Sequence, residues 1–153
     1  KHRQYSSCVS CQQEQYKEKE GQGCWIPGFI IFKRVWEGDQ YLVFGYFGGI
    51  GYRKIGNILQ CVDGSNDPAC FHLKKTADGY QVQKVDYTGD GAFYGKGIRK
   101  FTRNYPGLYK KYFHFDNNKK KKNHLRYLQM YVKNNDLDVK YYMISEDPVK
   151  IFK

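Results

Sequence analysis

Apolar residues recur at two different spacings along this chain, and the change from one to the other bounds the fold. As far as Tyr87 they come in short runs punctuated by glycine- and aspartate-centred turns, which is the signature of strands joined by hairpins. After Asn104 the spacing becomes three and four, which is helical. A chain that runs strands, then two helices, then one strand is expected to be α+β. The expected architecture is an antiparallel sheet, a meander of hairpins, with two helices from the C-terminal half packed on one face and a final strand. The aromatic share agrees, because 15 Tyr and 10 Phe suit half-buried pleated surfaces.

Residues 29–36 read as a strand, Glu37-Gly38-Asp39 as a tight turn, and residues 40–47 as the hairpin partner. Gly48, Gly49 and Gly51 then predict a bend, a bulge or a close backbone approach. Residues 52–61 read as a further strand. Asp63-Gly64-Ser65-Asn66-Asp67-Pro68 is dense in turn residues and predicts a loop, before residues 70–75 resume an extended pattern. Asp78-Gly79 signals a hairpin into residues 80–87. Asn104-Tyr105-Pro106 opens a short helix whose apolar side is Leu108, Tyr109, Tyr112 and Phe113. Asp116 or Asn117 caps a longer helix to about Val132, with Leu125, Leu128, Tyr131 and Val132 as its stripe. Asn134-Asn135 suits a left-handed helix end, and Leu137, Val139, Tyr141 and Met143 alternate as a final strand. Residues 1–23 are a polar arm without periodicity, so the expected division is an arm over 1–23 and one α+β domain over 24–153.

The five cysteines all lie in the first 70 residues, at Cys8, Cys11, Cys24, Cys61 and Cys70. Cys61 and Cys70 flank the turn-rich loop, and a chain reversal there predicts a disulfide between them. The competing pairing joins Cys24 to one of them. Cys8-x-x-Cys11 has zinc or redox spacing, but a structural zinc site needs four ligands, and the pattern suits bridges or unstructured thiols better. Gly23-Cys24-Trp25 glances at a thiol-protease nucleophile, with His114 and His124 as distant partners, yet Gly21 stands where that signature has another cysteine. A structural role for Cys24 is the expectation; a thiol-dependent enzyme using Cys24 is the remote alternative.

Other chemistries are excluded by spacing. Asp86-x-Thr88-x-Asp90-Gly91 begins like a calcium loop, but its twelfth position is Gly97. Asp63-x-Ser65-x-Asp67 continues with Pro68 where the turn glycine belongs. Gly49-x-Gly51 is followed by Gly56, too late for a dinucleotide fingerprint, and there is no Gly-x-Ser-x-Gly elbow. No cofactor and no enzymatic activity are implied.

Lysine and arginine number 26 against 15 acids, a net charge of +11, which favours anionic partners. The densest cluster is Lys119, Lys120, Lys121 and Lys122, with Lys110, Lys111 and Arg126 nearby. Cations at a helix start oppose the macrodipole, so this run is either solvated surface or an anion-binding patch that tolerates the cost. No stretch approaches the roughly 18 apolar residues a membrane helix needs. The start at Lys1-His2-Arg3-Gln4 fits a mature or trimmed extracellular segment.

The segment from Gly79-Tyr80-Gln81-Val82 through Asp86-Tyr87-Thr88-Gly89-Asp90-Gly91, followed by Tyr94, Ile98 and Phe101, resembles uncharacterised extracellular domains of Gram-positive bacteria. Some of those lie downstream of BlaR1-type membrane metallopeptidase segments. The resemblance covers about 25 of the 153 residues and carries no catalytic residues with it. It implies a secreted or cell-envelope setting. The expected function is therefore non-catalytic binding or sensing, with an anionic surface or polymer as partner. The alternative is a basic nucleic-acid module in which Tyr52, Phe93 or Tyr94 stack bases.

Overall fold

A computed structural model describes residues 23–153. Four long strands, β1 (Gly23–Glu37), β2 (Gln40–Ile55), β3 (Ile58–Thr76) and β4 (Gly79–Tyr87), form an antiparallel meander. Three helices follow: α1 (Tyr94–Thr102), α2 (Pro106–Phe113) and α3 (Asn117–Asn134). Two short strands, β5 (Tyr141–Met143) and β6 (Val149–Lys150), close the described chain. The α+β class is as expected, but the sheet is mixed. β5 lies parallel to the start of β3, with Ile58 opposite Tyr141, because the three helices carry the chain across the sheet before it returns. The N–H groups of Lys140 and Tyr141 both donate to Asn57 O, which fixes that return.

Two further expectations are corrected. The strand predicted over 52–61 is cut by a turn at Gly56-Asn57, where Gly56 has φ +58°, a conformation glycine adopts without strain. The loop predicted over 63–68 is instead the middle of β3. There the glycines of β2 decide the outcome: Gly48, Gly49 and Gly51 pair with Asn66, Ser65 and Asp63, and a Cβ on Gly48 would fall 2.1 Å from Ser65 O. Glycine lets the two backbones meet where turn-forming residues would otherwise leave the sheet. The bulge expected near these glycines is present, as a register shift between Gly51 and Tyr52. Pro68 is tolerated because, among the described residues, β5 covers only 58–60 of β3's outer edge and the pairing with β4 starts at Ala69.

This continuous β3 overturns the predicted disulfide. Cys61 and Cys70 lie nine residues apart on one strand, a separation of roughly 30 Å. Cys24, Cys61 and Cys70 are all free thiols. Cys8 and Cys11 lie outside the described residues, as does nearly all of the arm.

The helices cover one face of the sheet in two sectors. Leu42, Phe44, Tyr46 and Cys70 pack with Ile98, Leu108 and Tyr112 under α1 and α2. Cys24, Ile26, Tyr52 and Leu59 pack with Leu128, Val132, Val139 and Ile151 under α3. Buried tyrosines are satisfied at their hydroxyls: Tyr112 donates to Ala69 O at 2.9 Å and Tyr46 to Tyr112 O at 2.7 Å. The opposite face carries a smaller cluster of Val43, Phe47 and Ala69 with half-buried Phe71 and Leu73.

α2 begins at Pro106 and buries Leu108 and Tyr112, as its spacing predicts. α3 is capped by Asp116, whose carboxylate accepts from Asn118 N at 2.8 Å. Its buried stripe is His124, Leu128 and Val132, so His124 stands where Leu125 was expected. The left-handed residue after α3 is Asp136 rather than an asparagine. No helix among the described residues is long and apolar enough to cross a membrane.

Candidate functional site

The sheet face under α3 is not filled along its whole length. Two rows of the register, Gly28–Gly48–Asn66 and Ile26–Ile50–Gly64, lie side by side there. With no side chain at Gly28 or Gly64, the sheet has a dent that the first turns of α3 roof over. The result is a cavity of about 460 Å³, within the size range of small-molecule sites. Its floor is Gly28, Gly49 and Gly64, its apolar walls include Ile30, Ile50 and Tyr142, and its roof is Asn117, Lys120, Lys121 and His124. A Cβ placed on Gly28 meets nothing within 4 Å, so open space stands above that residue.

The lining is mostly apolar and its charge is of one sign. Lys120 and Lys121 border the cavity, and no carboxylate is among the described residues that line it. Ser65 and Asn66 add polar groups from β3. Burial pushes the Lys120 ammonium below the usual lysine range, because desolvation disfavours the charged form. Its Nζ lies 5.9 Å from the centre of the Phe115 ring. Below it, His124 Nε2 shares a 2.7 Å hydrogen bond with the hydroxyl of Tyr52, which is fully buried. Burial, and then the neighbouring Lys120 charge, bring His124 down to about 4. The imidazole is therefore neutral at pH 7, and the burial that lowers it also pushes the Tyr52 phenol upward. His124, held from behind by buried Tyr52, is thus an uncharged polar group in the roof beside the two lysines.

The predicted basic cluster is thus divided. Lys120 and Lys121 face the cavity, whereas Lys119, Lys122 and Arg126 are exposed elsewhere on α3 and do not line it. Lys110 and Lys111 are exposed in the last turn of α2, in the other sector of the helix face. The cavity also takes Gly28, Cys61, Ser65, Asn66, His124 and Tyr142, to which the linear pattern gave other roles or none. One signal for His124 was available. Lys120, His124, Leu128 and Val132 recur every four residues, so the buried stripe of α3 continues back into the lysine run. The glycines on the floor align only once the strand register is known.

Other sequence candidates do not assemble. Cys24 is buried, and burial pushes its thiol up to about 12, far from a reactive thiolate. Of its distant histidine partners, His124 bonds Tyr52 and His114 is exposed at the end of α2. Full burial removes Tyr52 from any base-stacking platform, and the Tyr94 hydroxyl is 2.6 Å from that of Tyr46. Phe93 is 65 % exposed, with the Lys96 ammonium 6.0 Å from its ring centre. Asp86 serves His72 and Lys84 rather than a calcium loop. No family model, curated protein or solved structure matches this chain.

Proposed function

We propose that the protein is a non-catalytic binding domain whose ligand is a small amphiphilic anion, an aliphatic or aromatic carboxylate or sulfonate. The observation that carries this is a mostly apolar cavity whose lining, among the described residues, has two lysines and no acid. The apolar body would lie over Gly28 and Gly49 against Ile30 and Ile50, and the anionic head would reach Lys120 and Lys121. A helix start built from lysines is unfavourable for the free protein, since no acidic residue occupies the first turn of α3. An anion bound there reverses the sign of that effect. Half-burial of Lys120 also makes its charge more effective than one in bulk water. A secreted or envelope-facing setting is the proposed context, supported by the resemblance of residues 79–101 to extracellular domains.

The test is a fluorescence titration with 1-anilinonaphthalene-8-sulfonate, an aromatic sulfonate of suitable size, on the natively folded chain. Saturable one-site binding is expected, displaced by decanoate. Lys120→Gln with Lys121→Gln should weaken it about tenfold, equivalent to about 1.4 kcal/mol, and should flatten its salt dependence. Lys119→Gln with Lys122→Gln should leave it nearly unchanged. Equal loss in both pairs would mean general surface charge rather than a site.

A further inference from the structure

The other sector of the helix face ends in a polar row that the cavity does not use. Cys70 and His72 are two residues apart on β3 and so share a face. The register sets Asp86 of β4 directly across from Cys70. A thiol sulfur, an imidazole nitrogen and a carboxylate oxygen from these three residues lie within 4.8 Å of one another. His72 Nε2 and Asp86 Oδ2 are 2.7 Å apart. An ion pair across two strands needs only the second and third of these groups. The thiol converging on the same point is left over.

We infer that Cys70, His72 and Asp86 form a site for a borderline-soft divalent cation, with zinc the best fit. Thiolate, imidazole and carboxylate are the donors zinc takes, at about 2.3, 2.0–2.1 and 2.0–2.2 Å, and three protein ligands leave the fourth tetrahedral position to water. The outer shell is already in place. His72 Nδ1 is 3.2 Å from Gln40 Oε1, an oxygen that only accepts, so the N–H donates to it and fixes the ring. Lys84 Nζ holds Asp86 Oδ1 at 2.9 Å, which leaves Oδ2 to face His72. The side chains of His72 and Asp86 are 17 % and 26 % exposed, so the ion enters from their side of the buried sulfur. Binding replaces the proton shared by His72 and Asp86 and ionises the Cys70 thiol, and both protons leave to solvent. The nitrogen and oxygen then separate from 2.7 Å to roughly 3.3 Å as the cation settles between them. A catalytic thiol with a histidine base is a poorer fit, because both imidazole nitrogens are committed to Asp86 and Gln40 and the sulfur is 1 % exposed.

Cobalt(II), a spectroscopic stand-in for zinc, gives the test when titrated into the full chain under reducing conditions. One equivalent should produce a near-ultraviolet thiolate charge-transfer band that zinc then bleaches. Cys70→Ser should abolish the band. His72→Gln and Asp86→Asn, at half-buried positions, should each weaken affinity more than about tenfold, and these two decide the matter should Cys70→Ser fail to fold. The double variant Cys8→Ser with Cys11→Ser should keep the band. Its absence from the wild type, an unchanged cobalt affinity in His72→Gln and Asp86→Asn, or its loss in the Cys8/Cys11 variant would each overturn the site.

Discussion

His124 is held where its charged form is expensive, and that has a consequence in solution. The ring is buried, Lys120 lies nearby, and its two aromatic neighbours, Tyr52 and Tyr142, supply no negative charge at neutral pH. An unfolded histidine takes up its proton near pH 6.5, whereas this one waits until about 4. The unfolded state therefore binds more protons between those values, so stability is full above pH 6.5 and falls as the pH drops toward 4. The loss amounts to about 3 kcal/mol across the window. Urea unfolding at several pH values should show that slope. His124→Gln, which can still bond the Tyr52 hydroxyl, should flatten it, and an unchanged slope would mean that His124 is not buried neutral.

Among the elements, the pairing of β2 with β3 was hardest to read from the chain. Asp63 through Pro68 carries turn chemistry at nearly every position, and no local propensity marks it as strand. What holds it extended is non-local, because Gly48 allows a backbone approach to Ser65 that only the partner strand reveals. Elements set by local signals were legible: the hairpins at Gly38-Asp39 and Asp78-Gly79, the Pro106 start of α2, and the Asp116 cap of α3. α1 went unnoticed because Gly95 and Gly97 dilute its helical spacing. The glycines make separable predictions. Gly48→Ala forces a methyl against Ser65 O and should destabilise by about 3 kcal/mol, the upper end of overpacking costs. Gly28→Ala, with open space above it, should change stability by less than about 1 kcal/mol. Chemical denaturation of the two variants side by side would show whether the dent is built as described.

For the molecule as a whole, the lysine run was visible in the sequence as a charge cluster, but its division into two cavity-facing and two outward residues was not. That division depends on how α3 sits over the sheet, which depends in turn on the Leu128 and Val132 packing against Cys24, Ile26 and Leu59. The same seating places Cys61 at the cavity wall, while Cys24 and Cys70 are buried. Cys61 is thus a reporter inside the proposed site, slowed by partial burial yet reachable through the cavity. The most direct measurement is the alkylation rate of Cys61, followed by mass mapping of its peptide, as decanoate is added. The prediction is a rate that falls with saturation as decanoate fills the cavity, and a Gly28→Leu variant in which the cavity is occupied by its own side chain and decanoate has no further effect. A Cys61 rate that decanoate leaves unchanged in the wild-type protein would contradict the account.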